Sequence, residues 1–127
     1  MTGPPSTVNK RTANKRAAER RGRGAEWLAA AILMAKGYRI LARRYRNGAG
    51  EIDLIARKRG LVAYVEVKYR ARRAAAPFAV AERQKQRIRR AAALFLAHNP
   101  SLAAFDQRFD VLVVSRFSLP QHIKNAW

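Results

Sequence analysis

Apolar and polar residues follow two different periods along the chain, and this pattern predicts an α/β fold. Residues 25–36 are an uninterrupted run of good helix formers, and Gly37 suits the end of that helix. Residues 80–97 predict a longer helix, which ends before Asn99-Pro100. Short runs rich in Ile, Val, Leu and Tyr predict four strands, at Tyr38–Arg46, Glu51–Arg57, Leu61–Tyr69 and Arg108–Arg116. We expect Pro120–Trp127 to form a short helical turn.

The order helix, three strands, helix, strand predicts a mixed sheet flanked by helices. The first three strands have short connections, so we expect them to be antiparallel. The fourth strand follows a helix, and a right-handed crossover would make it parallel to the third. A tight turn at Arg59-Gly60 pairs Lys58 with Leu61, and this pair sets the register of the second hairpin.

The N-terminal segment differs from the rest in composition. Residues 1–23 contain seven basic residues, one glutamate and few apolar side chains. Such a segment cannot bury enough apolar surface to fold alone, so we expect a flexible basic arm. Residues 24–127 then form a single domain.

The charge of the chain indicates its partner class. There are 27 Lys and Arg against 8 Asp and Glu, and the formal net charge is +19. Such a chain gains free energy by releasing counterions from phosphates, and we expect a nucleic acid partner. An anionic membrane surface would suit the charge equally well. However, the sequence has neither a membrane-spanning run nor a secretory signal, which predicts a cytoplasmic protein without a membrane partner. The absence of cysteine excludes thiol nucleophiles and cysteine zinc sites.

Three of the acidic residues lie inside apolar strands. Strand alternation puts Glu51, Asp53 and Ile55 on one face, and Glu66 and Lys68 on one face of the next strand. The hairpin register places Asp53 opposite Glu66, and Glu51 opposite Lys68, with Cβ atoms about 4.5–5.5 Å apart. Two carboxylates at that distance need a shared proton, an arginine or a divalent cation such as Mg²⁺. Alternatively, these acids are ion-pair partners of arginines in a basic protein.

Two helical residues are further candidates. Glu26 shares a small apolar helix face with Ala30 and Leu33, and if that face packs on the sheet, Glu26 points toward Asp53. Alternatively, Glu26 is a carboxylate stabilised by the positive end of the helix dipole. Gln84 is predicted to point inward, either as a site residue or as a hydrogen-bonded core glutamine.

Two segments carry a family resemblance. GEIDLIA (Gly50–Ala56) and VEVKYR (Val65–Arg70) resemble the YraN-like family of bacterial proteins. That family is grouped with the restriction-endonuclease-like nucleases and is similar to archaeal Holliday-junction resolvases. Gly37-Tyr38, RFDV (Arg108–Val111) and HIKNAW (His122–Trp127) match as well, so the resemblance covers nearly the whole domain. It implies a restriction-endonuclease-like core.

The resemblance also implies roles for single residues. Asp53 and Glu66 would be the ligands of Mg²⁺ or Mn²⁺. Lys68 would orient the attacking water or stabilise charge on the phosphate. Glu26 would be the helix carboxylate near the metal, and Gln84 a further catalytic residue.

The chain departs from the family pattern at two places. The family usually has Lys-Gln where Gln84-Lys85 stand here, and it favours Asn at the position of Arg44. Basic residues after the third strand and on the second helix are expected to contact phosphates, namely Arg70, Arg72, Arg73 and Lys85. The arginines at positions 83, 87 and 90 are expected on the outer face of that helix.

The leading hypothesis is therefore a metal-dependent endonuclease acting on DNA rather than RNA, with branched or structured DNA among its substrates. Dimers are common among junction enzymes of similar fold, so a homodimer stays open. One alternative is a non-catalytic protein that binds DNA or RNA through its basic surface. Another is an accessory protein whose basic arm docks on RNA or the ribosome.

Overall fold

A computed structural model describes residues 24–70, 80–115 and 118–127 as one α/β fold. The elements are helix α1 (24–35), strands β1 (Arg39–Asn47), β2 (Gly50–Lys58) and β3 (Leu61–Arg70), helix α2 (Glu82–His98), and strands β4 (Asp106–Ser115) and β5 (Gln121–Ile123). A short 3₁₀ helix, Pro100–Leu102, follows α2. The predicted order from α1 to β4 is confirmed, and it is the order of a restriction-endonuclease-like core. The predicted basic arm lies outside the described residues.

One five-stranded mixed sheet runs β1-β2-β3-β4-β5. Strands β1 to β3 are antiparallel and β4 is parallel to β3, as predicted. The helical turn expected in Pro120–Trp127 is wrong, because Gln121–Ile123 pairs antiparallel with Val111–Val113 of β4. A strand there forms hydrogen bonds with the backbone N–H and C=O groups along the edge of β4, which a helical turn would leave without partners in the sheet.

The two helices cover opposite faces of the sheet. Small residues of α1, including Ala25, Ala29 and Ala30, let that helix pack closely on the buried side chains of β2, β3 and β4. Ile88 and Phe95 of α2 pack on the other face. A bulge between Ile40 and Ala42 shifts the register of β1 against β2. None of the helices in the described ranges has the length and apolar character needed to cross a membrane.

Gly37 ends α1 in a conformation that favours glycine. Its φ is +94°, and the N–H of Tyr38 returns to the carbonyl of Leu33 at 2.9 Å. A side chain is strained at this φ, so Gly37→Ala should lower the free energy of unfolding by about 1 kcal/mol. Urea denaturation measures the loss. Gly60→Ala is the control, since a methyl group there meets nothing within 4 Å and we expect almost no change. Equal losses in the two variants would contradict this account of Gly37.

Candidate active site

Strand β2 loses its alternation at Asp53. Ile52 and Ile55 both pack on the α2 side of the sheet although three positions separate them. The alternation therefore breaks between them, at Asp53 and Leu54, with no shift of register against β1. At the same level of β1, Arg44 has a φ of +50°. The expectation that Glu51, Asp53 and Ile55 share a face was wrong for this reason.

The second hairpin has the predicted register, which brings Asp53 and Glu66 together. Pairing runs from Lys58–Leu61 to Leu54–Val65. Just beyond it, Oδ2 of Asp53 accepts the backbone N–H of Val67 at 2.8 Å. Asp53 and Glu66 are therefore close enough for each carboxyl group to affect the ionisation of the other.

Burial governs the ionisation of this carboxyl pair. Burial first, and the neighbouring charge of Asp53 second, raise the pKa of Glu66 to about 7, while Lys68 opposes the rise. The pKa of Asp53 is also raised, by burial first, and the N–H of Val67 limits the increase. Raised pKa values of this kind mark a place where a cation would stabilise the two ionised carboxylates.

Lys68 and Gln84 meet at the same oxygen of Glu66. Nζ of Lys68 lies 3.5 Å from Oε1 of Glu66. Nε2 of Gln84, from the first turn of α2, donates to that oxygen at 2.9 Å. Gln84 therefore fixes the orientation of the Glu66 carboxyl group, and the structure brings four of the expected site residues together.

Glu26 approaches the site from α1. Its Oε2 lies 3.6 Å from Nε of Arg44. Glu26, Arg44 and Asp53 line one cavity of about 320 Å³. Arg44 departs from the family pattern at a residue with positive φ, a conformation that asparagine adopts more readily than arginine.

Glu51 forms its ion pair with β1. Its Oε1 lies 2.8 Å from Arg46, the residue that it faces on that strand. Its position opposite Lys68 stays a prediction, because the register between β2 and β3 is defined from Lys58 to Leu54. Lys85 lies 3.8 Å from Glu82 on its own helix. Arg70 ends β3, whereas Arg72 and Arg73 lie outside the described residues.

A metal ion would depend chiefly on the Asp53–Glu66 pair. Within the parts of the chain that the structure describes, no group of three or more His, Asp or Glu side chains is arranged to hold a metal. Two carboxylates nevertheless suit Mg²⁺, which usually keeps several waters and takes further oxygens from substrate phosphate. The raised pKa values of the pair are consistent with this, since binding of a cation is linked to loss of a proton.

A cleft of about 650 Å³ beside the pair was not predicted. It lies between the β1–β2 turn and the start of α2. Arg83 and Arg87 are exposed, as expected of an outer helix face, and they line the cleft together with Arg46. The i, i+4 spacing of Arg83 and Arg87 indicates that they share a helix face. It could not show that this face lies beside the β1–β2 turn, because that is a tertiary contact.

The RFDV and HIKNAW motifs meet away from the site. Fully buried Asp110 accepts two hydrogen bonds at 2.7 Å from Arg108. It also lies 2.8 Å from Nε2 of His122 and accepts the backbone N–H of Asn125 at 3.0 Å. Phe109 stacks on Trp127. These contacts, which we call the C-terminal clasp, hold the last segment on β4.

The sequence of residues 25–114 matches the family described as "Uncharacterised protein family UPF0102". The chain belongs to the UPF0102 family. This match extends from α1 to β4, so Glu26, Asp53, Glu66, Lys68 and Gln84 all lie inside the UPF0102 region. The predicted resemblance to YraN-like proteins is thereby confirmed.

Relatives match this UPF0102 protein over most of their length. A UPF0102 protein of Bradyrhizobium sp. (strain ORS 278) is 51% identical over 125 residues, covering 98% of this chain and 89% of the relative. One of Rhodopseudomonas palustris (strain BisA53) is 55% identical over 111 residues, covering 87% and 85%. One of Paramagnetospirillum magneticum (strain ATCC 700264 / AMB-1) is 48% identical over 130 residues, covering 99% and 96%. These names state no activity, so function has to be argued from the site.

Proposed function

We propose that this UPF0102 protein is a metal-dependent endonuclease that hydrolyses phosphodiester bonds in DNA, including branched or structured DNA. The observation that carries the proposal is that half-buried Asp53 lies beside buried Glu66, next to Lys68. Neighbouring carboxyl groups with raised pKa values are typical of functional sites. The proposal includes a cytoplasmic location, where nucleic acid is accessible.

The residues would divide the work as follows. Asp53 and Glu66 would hold Mg²⁺ or Mn²⁺, with waters and phosphate oxygens as the other ligands. When bound, the ion polarises the phosphate and lowers the pKa of a coordinated water. Lys68, whose Nζ is 3.5 Å from Glu66, is placed to stabilise negative charge that develops on the phosphate. Gln84 keeps Oε1 of Glu66 in position through its 2.9 Å hydrogen bond.

The net charge of +19 supports a polyanionic substrate. The family resemblance favours DNA over RNA. The second candidate function is non-catalytic binding of nucleic acid, with the acids acting as structural ion-pair partners. The Lys68–Glu66 contact favours that candidate, because an ion pair of this kind needs no metal.

A cleavage assay with Asp53→Asn tests the proposal. Asparagine keeps an oxygen that can accept the N–H of Val67, so the variant should fold. Labelled single-stranded, duplex, flap and four-way-junction DNA and RNA are incubated with Mg²⁺ or Mn²⁺ at low salt. We expect wild-type cleavage that requires metal and falls at least about 100-fold in the variant, because metal catalysis supplies several kcal/mol of barrier reduction.

Glu82→Gln is the matched control, since Glu82 is an exposed acid of α2 that pairs with Lys85 and Gln86 of its own helix. It should cleave like the wild type. Tight binding by all three proteins with no cleavage of any substrate would overturn the endonuclease and favour the binding protein. Equal cleavage by wild type and Asp53→Asn would remove Asp53 from the mechanism.

A further inference from the structure

The cleft beside the carboxyl pair has the chemistry of an anion site. Its charged lining consists of Arg46, Arg83, Arg87 and Glu51, so positive charge exceeds negative charge among the described residues that line it. Guanidinium groups present paired donors that match the oxygens of a phosphate. Its volume of about 650 Å³ lies within the range of pockets that enclose small ligands. The lining therefore favours a phosphate group rather than an apolar ligand.

The walls of the cleft are held together before any ligand binds. Nδ2 of Asn47, in the β1–β2 turn, donates to the carbonyl of Ala91 on α2 at 3.0 Å. Its Oδ1 accepts the N–H groups of Ala49 and Gly50 and so shapes the turn. A Cβ added at Gly50 would lie 3.3 Å from the carbonyl oxygen of Arg87, so glycine permits the close approach. A preformed site loses little conformational entropy when a ligand binds.

The cleft adjoins the carboxyl pair on two sides. Gln84 lines the cleft and also donates to Glu66. Arg46 and Glu51 line the cleft and also line the smaller cavity that contains Asp53. In a nucleic acid strand with one backbone phosphate at the carboxyl pair, the next phosphates would therefore reach the arginines of the cleft.

We propose that this cleft binds a backbone phosphate of a nucleic acid strand, next to the phosphate that lies at the carboxyl pair. This inference rests on the proposed function, which places the neighbouring phosphate at the carboxyl pair. In the ligand-free protein Glu51 holds Arg46 at 2.8 Å. Both side chains are largely exposed, 64% for Glu51 and 74% for Arg46, and exposed pairs of this kind are weak. An incoming phosphate displaces Glu51 from Arg46.

Two changes in this cleft should therefore act in opposite directions. Binding of fluorescein-labelled DNA and RNA strands is measured by anisotropy in EDTA, which prevents metal-dependent cleavage, over a series of salt concentrations. Arg83→Gln/Arg87→Gln should weaken binding at least about 10-fold and reduce the salt slope by about one to two, since phosphate contacts are lost. Glu51→Gln should tighten binding about 2- to 5-fold, because Arg46 is released and a negative charge is removed.

The control is Arg39→Gln/Arg89→Gln, which changes the net charge equally at exposed arginines outside the cleft. Equal weakening by the two double variants would overturn the inference, because only general charge would then matter. Unchanged or weaker binding by Glu51→Gln would overturn the displacement of Glu51. If Arg83→Gln/Arg87→Gln weakens binding but the wild type cleaves no substrate, phosphate binding in the cleft is supported and the endonuclease proposal is overturned. If cleavage depends on Asp53 but not on Arg83 and Arg87, the endonuclease proposal is supported and phosphate binding in the cleft is overturned.

Discussion

Asp110→Ala should unfold at much lower urea concentration than the wild type, with a loss of about 3–5 kcal/mol in the free energy of unfolding. Asp110 is fully buried and lies in the C-terminal clasp, where it accepts hydrogen bonds from Arg108 and the N–H of Asn125. Removing it leaves the Arg108 guanidinium, 19% exposed, without its carboxylate. An uncompensated charge in such surroundings has a cost of this size.

Asp106→Ala is the matched control, because Asp106 is an exposed aspartate at the start of the same strand. Its loss should be within about 0.5 kcal/mol of zero. Asp110→Asn should fall between the two, since it keeps the shape and loses the charge. A loss below about 1 kcal/mol for Asp110→Ala would show that the C-terminal clasp does not stabilise the fold.

The same carboxylate gives a pH signature. Although burial acts in the opposite direction, hydrogen bonds from His122 and Arg108 hold the pKa of Asp110 down at about 2, below its ordinary 3.8. Because its pKa is depressed in the folded protein, its contribution to stability is complete above about pH 4 and is lost as the pH falls toward 2. Acid unfolding of the wild type should therefore include a component in that range that Asp110→Ala lacks.

Local pattern was sufficient to predict the parts of the fold that depend on neighbouring residues. The turn at Arg59-Gly60 alone sets the register that brings Asp53 beside Glu66. The inward direction of Gln84 followed from helical periodicity, and its contact with Glu66 completes the expected group.

Features that depend on distant residues could not be predicted in this way. The break in alternation at Asp53 coincides with the left-handed backbone of Arg44 on the neighbouring strand. The hydrophobic pattern of neither strand indicates this break. The clasp joins Arg108 and Asp110 to His122, so the HIKNAW motif begins in a strand held to β4 instead of forming a helical turn. The arginine cleft likewise needs the hairpin turn to meet α2.

Glu66→Gln should make the metal-free protein more stable than the wild type at about pH 8, by about 1–3 kcal/mol. In the folded protein the pKa of Glu66 is raised from 4.5 to about 7. A raised carboxyl pKa contributes stability that is present below the unfolded pKa and is lost as the pH rises through 7. The wild type then holds neighbouring charges at half-buried Asp53 and buried Glu66, whereas glutamine stays neutral and can still hydrogen-bond. At about pH 5 the advantage should disappear. Urea denaturation in EDTA at both pH values measures it.

At about pH 8, Mg²⁺ should make the wild type more stable than Glu66→Gln. The cation neutralises the two carboxylates, Asp53 and Glu66, whose repulsion destabilises the metal-free protein. The wild type should gain about 3 kcal/mol at a Mg²⁺ concentration about 100-fold above Kd, while Glu66→Gln gains much less. Glu82→Gln should respond like the wild type, since it leaves the pair intact. Equal stabilisation of wild type and Glu66→Gln by Mg²⁺ would place the ion elsewhere. An unchanged pH profile in Glu66→Gln would show that the pair does not exchange a proton, and Asp53 and Glu66 would then be structural residues that happen to lie beside Lys68.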